Sequence, residues 1–488
     1  MKMLLGPILG YEGHDLYTVC FLSDKSTISA SLKIAGQMLP FTQIANTPNG
    51  IFWRAEISIP TDTAGNYRTY EIESQGAALQ DKFGRANWKF YIPGTTESAK
   101  IVYTTCNGFS STKLARDTAE PYILWQRMKE EHEKKPIALL LMGGDQIYAD
   151  QLWESRLAPT INKWSHFSRS EQIKYSVGPQ IQKELDAFYE QIYINDWGID
   201  TNMSLMLASI PSIMMWDDHD IFDGWGSYPA NLQDCPVYQT IYQFAKKYFE
   251  LFQIRSNLNK TLLSNAGRYY SWGVRFREYL ILGLDNRAER TQQQIMGEQQ
   301  WLDIKAWLGT QQQVENFLVM TGLPLAYRNF ADTDTLLQAT PWQEEIEDDV
   351  HDHWTAKAHQ GERMKLIKNL LDFTQAKSCK TVILSGDVHI GSLGIIKDNA
   401  QELEMTQVVS SAIVHPAPTF FEWQGIKLST SEDQQSLGKG DITAEIIAPF
   451  GSDKYILCRN YSTLEKGSDR KIWVNWICER NIKPCYPI

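Results

Sequence analysis

Hydrophobic and polar residues follow two different patterns along the chain, and the change falls near residue 97. Before it, short alternating runs such as LYTVCFL, IFWRAEISI and YRTYEIES are separated by Gly, Pro, Asn and Asp. Strands with one buried face alternate in this way, and turn residues separate them at a spacing of roughly ten residues. The pattern predicts a small β-sandwich over residues 1–97.

From residue 98 onward, continuous apolar runs alternate with amphipathic stretches. Strands covered on both faces are continuously hydrophobic, whereas surface helices carry apolar residues at i, i+3, i+4 and i+7. The predicted strands are KIVYTTC (100–106), PIALLLMGGD (136–145), PSIMMWDD (211–218), YLILGLDNR (279–287), NFLVMTGLP (316–324) and KTVILSGDVH (380–389). The predicted helices lie near residues 119–133, 179–193, 236–254, 292–308 and 360–377, and further strands follow. We therefore expect an α/β domain over residues 98–488.

Composition narrows the classes of partner. The chain has 488 residues, 43% hydrophobic and 22% charged, as in an ordinary globular protein. Its formal net charge of −11 argues against bulk nucleic-acid binding, which needs a basic face. A phosphorylated substrate stays possible, because a bound metal ion can invert the local field.

The cysteine spacing and the hydropathy of the chain indicate in which cellular compartment the protein is expected. The seven cysteines have no CxxC spacing, which argues against a disulfide scaffold and favours a reducing compartment. The stretch MKMLLGPILGYEGHD lacks the features of a signal peptide, and no window reaches the roughly 18 apolar residues of a membrane span. We expect a cytoplasmic protein without a membrane span, and the sequence does not indicate its oligomeric state.

Residues with metal-ligand chemistry follow five of the predicted strands. Ligands of α/β folds bind outside the carboxyl ends of the strands. The stretch SIMMWDDHDIFDGWG places four aspartates and a histidine within residues 217–223. Such crowded carboxylates raise one another's pKa unless a cation lies among them. The residues at the five strand ends are Cys106; Asp145 and Tyr148; Asp217, Asp218 and His219; Asp285 and Arg287; and Asp387 with His389.

Each of these residues also has a structural interpretation. A lone cysteine is more often a small buried hydrophobe, a Gly-Asp pair is a common turn, and Asp285 with Arg287 could be a surface ion pair. Their joint occurrence at strand ends favours a metal site.

The order of Cys106, GDQIYAD, WDDHD, LDNR and SGDVH resembles the PhoD-type branch of the calcineurin-like metallophosphoesterases, over residues 100 to 420. The resemblance implies a four-layer α/β/β/α sandwich, preceded by a small fibronectin-III or Ig-like β-sandwich. It also implies a two-metal centre, with Fe³⁺ and a divalent ion such as Ca²⁺, Mn²⁺ or Mg²⁺. A hydroxide that bridges the two metals would attack phosphorus in line, in a phosphorylated small molecule or a phosphodiester.

Individual roles also follow from the resemblance. Asp145 would bridge the two metals, His219 would protonate or stabilise the leaving oxygen, and Arg287 would grip the phosphoryl oxygens as a fork. The implied metal ligands are Cys106, Asp145, Tyr148, Asp218, Asp387 and His389. Residues that could add to the metal or substrate site are Asp217, Asp223, Asp285 and His415.

The sequence also leaves two histidines to interpret and two alternative functions open. His351 and His353, in the acidic run EEIEDDVHDH, favour a solvated loop. The first alternative function is a non-hydrolytic, metal-containing relative that binds a phosphorylated ligand. The second is a carbohydrate-binding protein that would use exposed aromatic residues such as Trp53 or Trp88.

Overall fold

The computed structural model describes residues 1–488 except 257, 329–351, 430–432 and 439, and omits the side chains of 428 and 429. Its strands are β1 (Met3–Tyr11), β2 (Leu16–Asp24), β3 (Ser31–Ile34), β4 (Gln37–Pro40), β5 (Thr42–Asn46), β6 (Gly50–Ser58), β7 (Asn66–Ser74), β8 (Ala77–Ala78), β9 (Asn87–Ile92), β10 (Ile101–Thr104), β11 (Leu139–Gly143), β12 (Ser212–Met215), β13 (Trp272–Phe276), β14 (Tyr279–Gly283), β15 (Asn316–Met320), β16 (Lys380–Ser385), β17 (Gly391–Asp398), β18 (Leu403–Val409), β19 (Gln434–Leu437), β20 (Ile442–Ile447), β21 (Tyr455–Ile456), β22 (Asn460–Lys466), β23 (Ile472–Cys478) and β24 (Cys485–Pro487). Its α-helices are α1 (Thr112–Asp117), α2 (Ile123–Lys134), α3 (Pro159–Ser165), α4 (Arg169–Lys174), α5 (Pro179–Trp197), α6 (Thr201–Ser209), α7 (Ala230–Gln233), α8 (Pro236–Phe252), α9 (Glu298–Thr310), α10 (Gln360–Lys377) and α11 (Phe420–Ser429). Short 3-10 helices cover Ala149–Glu154, Asp218–Asp220 and Lys357–His359.

The first large sheet has the strand order β24-β23-β22-β10-β11-β12-β1-β2-β6-β5. Its central strands β10, β11 and β12 are parallel, and β1 joins β12 in parallel through Gly10 and Ser212. The sheet thus crosses the expected boundary near residue 97, so a separate N-terminal β-sandwich is not confirmed. The reason is visible in β2, where Val19 and Phe21 enter one core and Cys20 and Leu22 another.

The second large sheet has the order β13-β14-β15-β16-β18-β17-β20-β19, with β21 beside β17. Strands β14, β15, β16 and β18 run parallel. All six strands expected between residues 100 and 389 are confirmed as β10, β11, β12, β14, β15 and β16. The five expected helices correspond to α2, α5, α8, α9 and α10, so the mixed α/β class is confirmed.

Alternate residues of the central strands enter different hydrophobic cores. In β11, Leu139 and Leu141 pack in a core that also contains Ile281 and Leu318 of the second sheet. Leu140 instead packs in a core that contains buried residues of α2, α5 and α8. Because β11 is buried on both faces, its continuous apolar run is explained.

The fold bears on the carbohydrate-binding alternative and on the expectation that the chain has no membrane span. Trp53 and Trp88 are only 4% and 2% exposed, so the expectation that they are exposed glycan contacts is wrong. Both side chains instead belong to the core that contains residues of both sheets. Among the described residues, none of the helices is long and apolar enough to cross a membrane.

Candidate metal centre

Loops that follow β11, β12 and β16 bring acidic residues together. Asp145, Asp218 and His219 each offer a ligand atom, and these atoms lie within 4.8 Å of one another. Asp217, Asp218 and Asp387 form a second such group. Asp218 belongs to both groups, so the two form one continuous site at the strand ends, where the sequence places them.

The backbone of this site is strained at four of the six expected ligands. Cys106, Asp145, Asp387 and His389 have φ values of 54°, 54°, 68° and 52°, in the left-handed region that residues other than glycine rarely adopt. Such strain costs about 1–3 kcal/mol per residue and clusters at functional sites. Gly144 has φ 118°, and a Cβ there would lie 2.7 Å from the Asp217 Cβ.

The thiol and phenol side of the site is fully buried. The Cys106 Sγ lies 3.5 Å from Asp145 Oδ2, and the Tyr148 hydroxyl lies 3.1 Å from His389 Nε2. Burial, and then the charges of neighbouring groups that include Asp145, raise the pKa of Cys106 and of Tyr148 well above their usual values. Both groups therefore stay neutral unless a cation binds beside them.

His219 is held by a carboxylate that sequence reasoning missed. Its Nδ1 lies 2.7 Å from Asp150 Oδ2, and its ring stacks on Tyr148 with centroids 4.2 Å apart. Burial lowers the pKa of His219, but Asp150 and Asp218 outweigh burial and hold it well above the usual value. Asp150 also accepts a hydrogen bond from the Asp223 backbone N–H at 2.7 Å. Asp150 is the last residue of the GDQIYAD motif, but the motif does not show that its carboxylate contacts His219, because that contact depends on tertiary packing.

Arg287 does not offer the free fork that the sequence predicts. Its side chain is completely buried, and its Nη1 and Nη2 donate to the two carboxylate oxygens of Asp352 at 2.6 and 2.7 Å. Its Nε donates to Asp217, and Nη2 lies 3.2 Å from Asp218 Oδ1. Because its fork binds protein carboxylates in this structure, its grip on phosphoryl oxygens stays a prediction.

Asp352 is the second residue that sequence reasoning missed. It lies in the acidic run expected to be solvated, yet it is 6% exposed. It pairs with Arg287 and with the Arg290 Nε at 2.9 Å. Burial raises the pKa of Asp352, but Arg287 and Arg290 outweigh burial and hold it well below the usual range. His353 is also 6% exposed, so its expected solvated position is wrong, and His351 lies outside the described residues.

Asp285 supports the site rather than joining it. Its carboxylate accepts hydrogen bonds from Trp216 Nε1 at 2.9 Å, the Tyr270 N–H at 2.7 Å and the Arg287 N–H at 2.9 Å. Both oxygens are therefore engaged by protein donors, and it belongs to neither group of candidate metal ligands. Its role as an additional ligand is not supported.

Asp223 and His415 lie at the open side. The Asp223 side chain is 54% exposed, and its Oδ1 lies 4.0 Å from His219 Nε2. His415 stacks on His389 with ring centroids 3.8 Å apart and on Tyr148 at 5.3 Å. Both residues line a cleft of about 1130 Å³, together with His219 and His389.

The residues present fit metal ions. Asp145 is 1% exposed, and its Oδ1 is buried without a hydrogen-bond partner. Burial, and the carboxylates of Asp218, Asp217 and Asp387, raise the pKa of Asp145, whereas His219 lowers it. A bound cation would relieve this cost, and buried charges are normally paired or coordinate metals. The carboxylate, imidazole, thiol and phenol groups are all metal-ligand types.

One sequence relative and two solved structures are similar to this chain. The chain is 27% identical over 435 residues to the uncharacterized protein YGR266W of Saccharomyces cerevisiae; the match covers 73% of this chain and 59% of that relative's length. The structure of purple acid phosphatase PPD1 from yellow lupin (Lupinus luteus) seeds has a TM-score of 0.54 and 12% identity, and covers 99% of this chain and 73% of that one. A dimetal phosphatase from Danio rerio has a TM-score of 0.35 and 9% identity, covers 80% of this chain and 99% of that one, and is too distant to carry an argument.

The lupin structure therefore supports the overall fold alone. The family model described as PhoD related phosphatase matches residues 68–344 and 342–429. These residues include every candidate ligand named above. The chain belongs to the PhoD-related phosphatase family.

Proposed function

We propose that the protein is a metal-dependent phosphoester hydrolase of PhoD type, which acts on a phosphomonoester or phosphodiester. One observation carries the proposal. Two groups of candidate ligands, which share Asp218, lie together at the ends of β11, β12 and β16. Membership of a phosphatase family supports the same reaction class. The proposed scaffold is a four-layer α/β/β/α sandwich, which the core shared by the two large sheets supports.

The proposed metal ligands are divided by chemistry. The Cys106 thiolate and Tyr148 phenolate are suited to Fe³⁺, and the carboxylates of Asp218 and Asp387 to a hard divalent ion such as Ca²⁺, Mn²⁺ or Mg²⁺. Asp145 and His389 complete the set. Two bound metal ions would supply a nucleophile at neutral pH and offset the charge that develops on phosphorus.

His219 is the proposed proton donor to the leaving oxygen. Its Nδ1 is held by Asp150 at 2.7 Å, and its ring lines the cleft. The charge of Asp150 raises the pKa of His219 and so favours the protonated imidazole, which a general acid requires. Asp150 acts as a positioning residue, since it fixes the ring and stabilises its charge.

Arg287 has a proposed electrostatic role. It lies between Asp217 and Asp352 and within 3.2 Å of Asp218. We assign it to holding Asp218 in place and limiting the negative charge of the site.

Hydrolysis of p-nitrophenyl phosphate and bis-p-nitrophenyl phosphate tests the proposal. The protein would be purified without chelator and assayed with and without Ca²⁺, Mn²⁺ or Fe³⁺. We expect metal-dependent release of nitrophenol that Asp145→Asn abolishes. Asp372→Asn is the matched control, because Asp372 is an exposed carboxylate on α10.

The same experiment distinguishes the proposed hydrolase from the non-hydrolytic alternative. Folded protein that binds metal but releases no nitrophenol from either compound would contradict the hydrolase and favour a non-hydrolytic phosphate-ester binder. Equal release by the wild type and Asp145→Asn would contradict the assigned site.

A further inference from the structure

The cleft beside the metal centre has room for much more than a phosphoryl group. Its volume of about 1130 Å³ matches or exceeds that of sites for drug-sized ligands, which are about 300–1,000 Å³. It extends from His219 and His389 along α5, where Phe188, Ile192 and Asp196 line it. The alcohol part of a substrate would therefore lie in a long, shaped space.

One wall of the cleft is aromatic. Trp153, Tyr228 and Tyr238 line it, with ring centroids 6.1 Å apart for Trp153 and Tyr238 and 5.3 Å apart for Tyr228 and Tyr238. Trp153 and Tyr228 are partly exposed, and Phe222 packs against both from within the core. Packed aromatic faces that remain accessible attract ammonium groups by cation–π interaction.

Apart from Arg169 and His219, the charged residues of the cleft are negative. Among its described lining residues, Arg169 is the only arginine or lysine. The carboxylates that line it are Asp150, Glu154, Asp196 and Asp223. A substrate with further phosphate or carboxylate groups would be repelled here, whereas a cationic group would be attracted.

Asp196 makes the strongest case for a cation. Its side chain is partly buried, and its carboxylate forms no hydrogen bond or ion pair with another described residue. It lies in the last turn of α5, where the helix dipole disfavours negative charge. Burial raises the pKa of Asp196 to about 7, so the folded protein holds this carboxylate at a cost that a cationic ligand would offset.

We infer that the leaving alcohol of the substrate carries a cationic amine or quaternary ammonium group, bound in the cleft that Asp196 lines together with the aromatic wall formed by Trp153, Tyr228 and Tyr238. The inference rests on the proposed hydrolase function. In the reaction, water adds to phosphorus, the bond from phosphorus to the alcohol oxygen breaks, and that oxygen takes a proton. Phosphocholine and water thus give choline and inorganic phosphate.

A pair of isosteric substrates tests the inference. Phosphocholine and 3,3-dimethylbutyl phosphate have the same shape, but the second has carbon in place of the charged nitrogen. We expect the wild type to prefer phosphocholine by about tenfold or more in kcat/KM, measured by phosphate release. Asp196→Asn should bring that ratio close to one, Trp153→Leu should lower it, and Asp372→Asn should leave it unchanged.

The outcomes separate this inference from the proposed function. A ratio near one in the wild type, or an unchanged ratio in Asp196→Asn, would overturn the inference while hydrolysis stands. Turnover of p-nitrophenyl phosphate but of neither isostere would also overturn it alone. If p-nitrophenyl phosphate, bis-p-nitrophenyl phosphate and both isosteres all fail with every metal, the hydrolase proposal and the inference fall together.

Discussion

The two halves of the metal centre balance their negative charge in different ways. In one half, Asp217, Asp218 and Asp352 surround the buried guanidinium of Arg287. In the other half, Asp145 lies beside the neutral thiol of Cys106, and neither residue forms a salt bridge within the described part of the chain. In the first half, the buried arginine offsets the negative charge. In the second half, His219 lowers the pKa of Asp145 but burial outweighs it, so a bound metal ion would complete the charge balance.

This difference in charge balance separates residues that stabilise the fold from residues whose proposed role is to bind metal. Removal of one partner from a buried ion pair leaves an uncompensated charge, which is strongly destabilising. Removal of a buried carboxylate that forms no salt bridge relieves a desolvation cost instead. Two chemically identical substitutions should therefore have opposite effects on the two halves.

Asp145→Asn should give the largest loss of activity. We expect kcat/KM to fall by more than about a thousandfold, because the substitution removes the proposed bridging ligand. The metal-free variant should nevertheless be as stable as the metal-free wild type or more so, since a buried carboxylate that forms no salt bridge and has one oxygen without a hydrogen-bond partner is gone. Thermal unfolding in chelator, beside the hydrolysis assay, measures both; a large drop in stability would contradict the comparison.

Asp352→Asn should instead act mainly on stability. The Arg287 and Arg290 side chains would lose their shared counter-charge, and we expect the free energy of unfolding to fall by about 3–5 kcal/mol. Urea unfolding of the metal-free protein measures this change, with Asp372→Asn as the exposed control. An unfolding free energy within about 0.5 kcal/mol of the wild type would show that the ion pair does not hold this half.

Asp150→Asn should lower activity less than Asp145→Asn does. Loss of the Asp150 charge lowers the pKa of His219, so the protonated imidazole should be lost at a lower pH. We expect a fall in kcat of about 10- to 100-fold, and a shift of the alkaline limb of the pH–rate profile toward lower pH. Asp150→Glu should restore part of the rate. An unshifted profile would remove Asp150 from the proposed role.

Asp223→Asn should have the smallest effect. Its carboxylate is 54% exposed and 4.0 Å from His219 Nε2, and exposed ion pairs contribute about 0–1 kcal/mol. We expect less than about a fivefold change in kcat/KM with the nitrophenyl substrates. Bound-metal content should not change. Loss of a metal ion in this variant would return Asp223 to the ligand set.

The sequence predicts the α/β core and the position of the site well, for a physical reason. Buried parallel strands produce continuous apolar runs, and the polar residues where such runs stop lie at one edge of a sheet. This reasoning identifies Asp145, Asp218, His219 and Asp387, which the structure brings together. The sequence also offers His415 as a residue that could add to the metal or substrate site, and His415 lines the cleft.

The sequence does not reveal contacts that depend on tertiary packing. Asp352 lies 65 residues from Arg287, and nothing in its acidic surroundings marks it as buried. Asp150 shows no pattern that assigns it to His219. The N-terminal strands alternate like those of a free sandwich, but the pairing of β1 with β12 that joins them to the central sheet has no signature in the local pattern.

The metal content of chelator-free protein, measured by inductively coupled plasma mass spectrometry, tests the central claim most directly. The wild type should contain about two ions per chain, as expected for a two-metal hydrolase. Asp145→Asn should lose metal, whereas Asp372→Asn should retain it. Wild-type protein that hydrolyses nitrophenyl phosphate without bound metal, or Asp145→Asn protein with an undiminished metal content, would contradict the account.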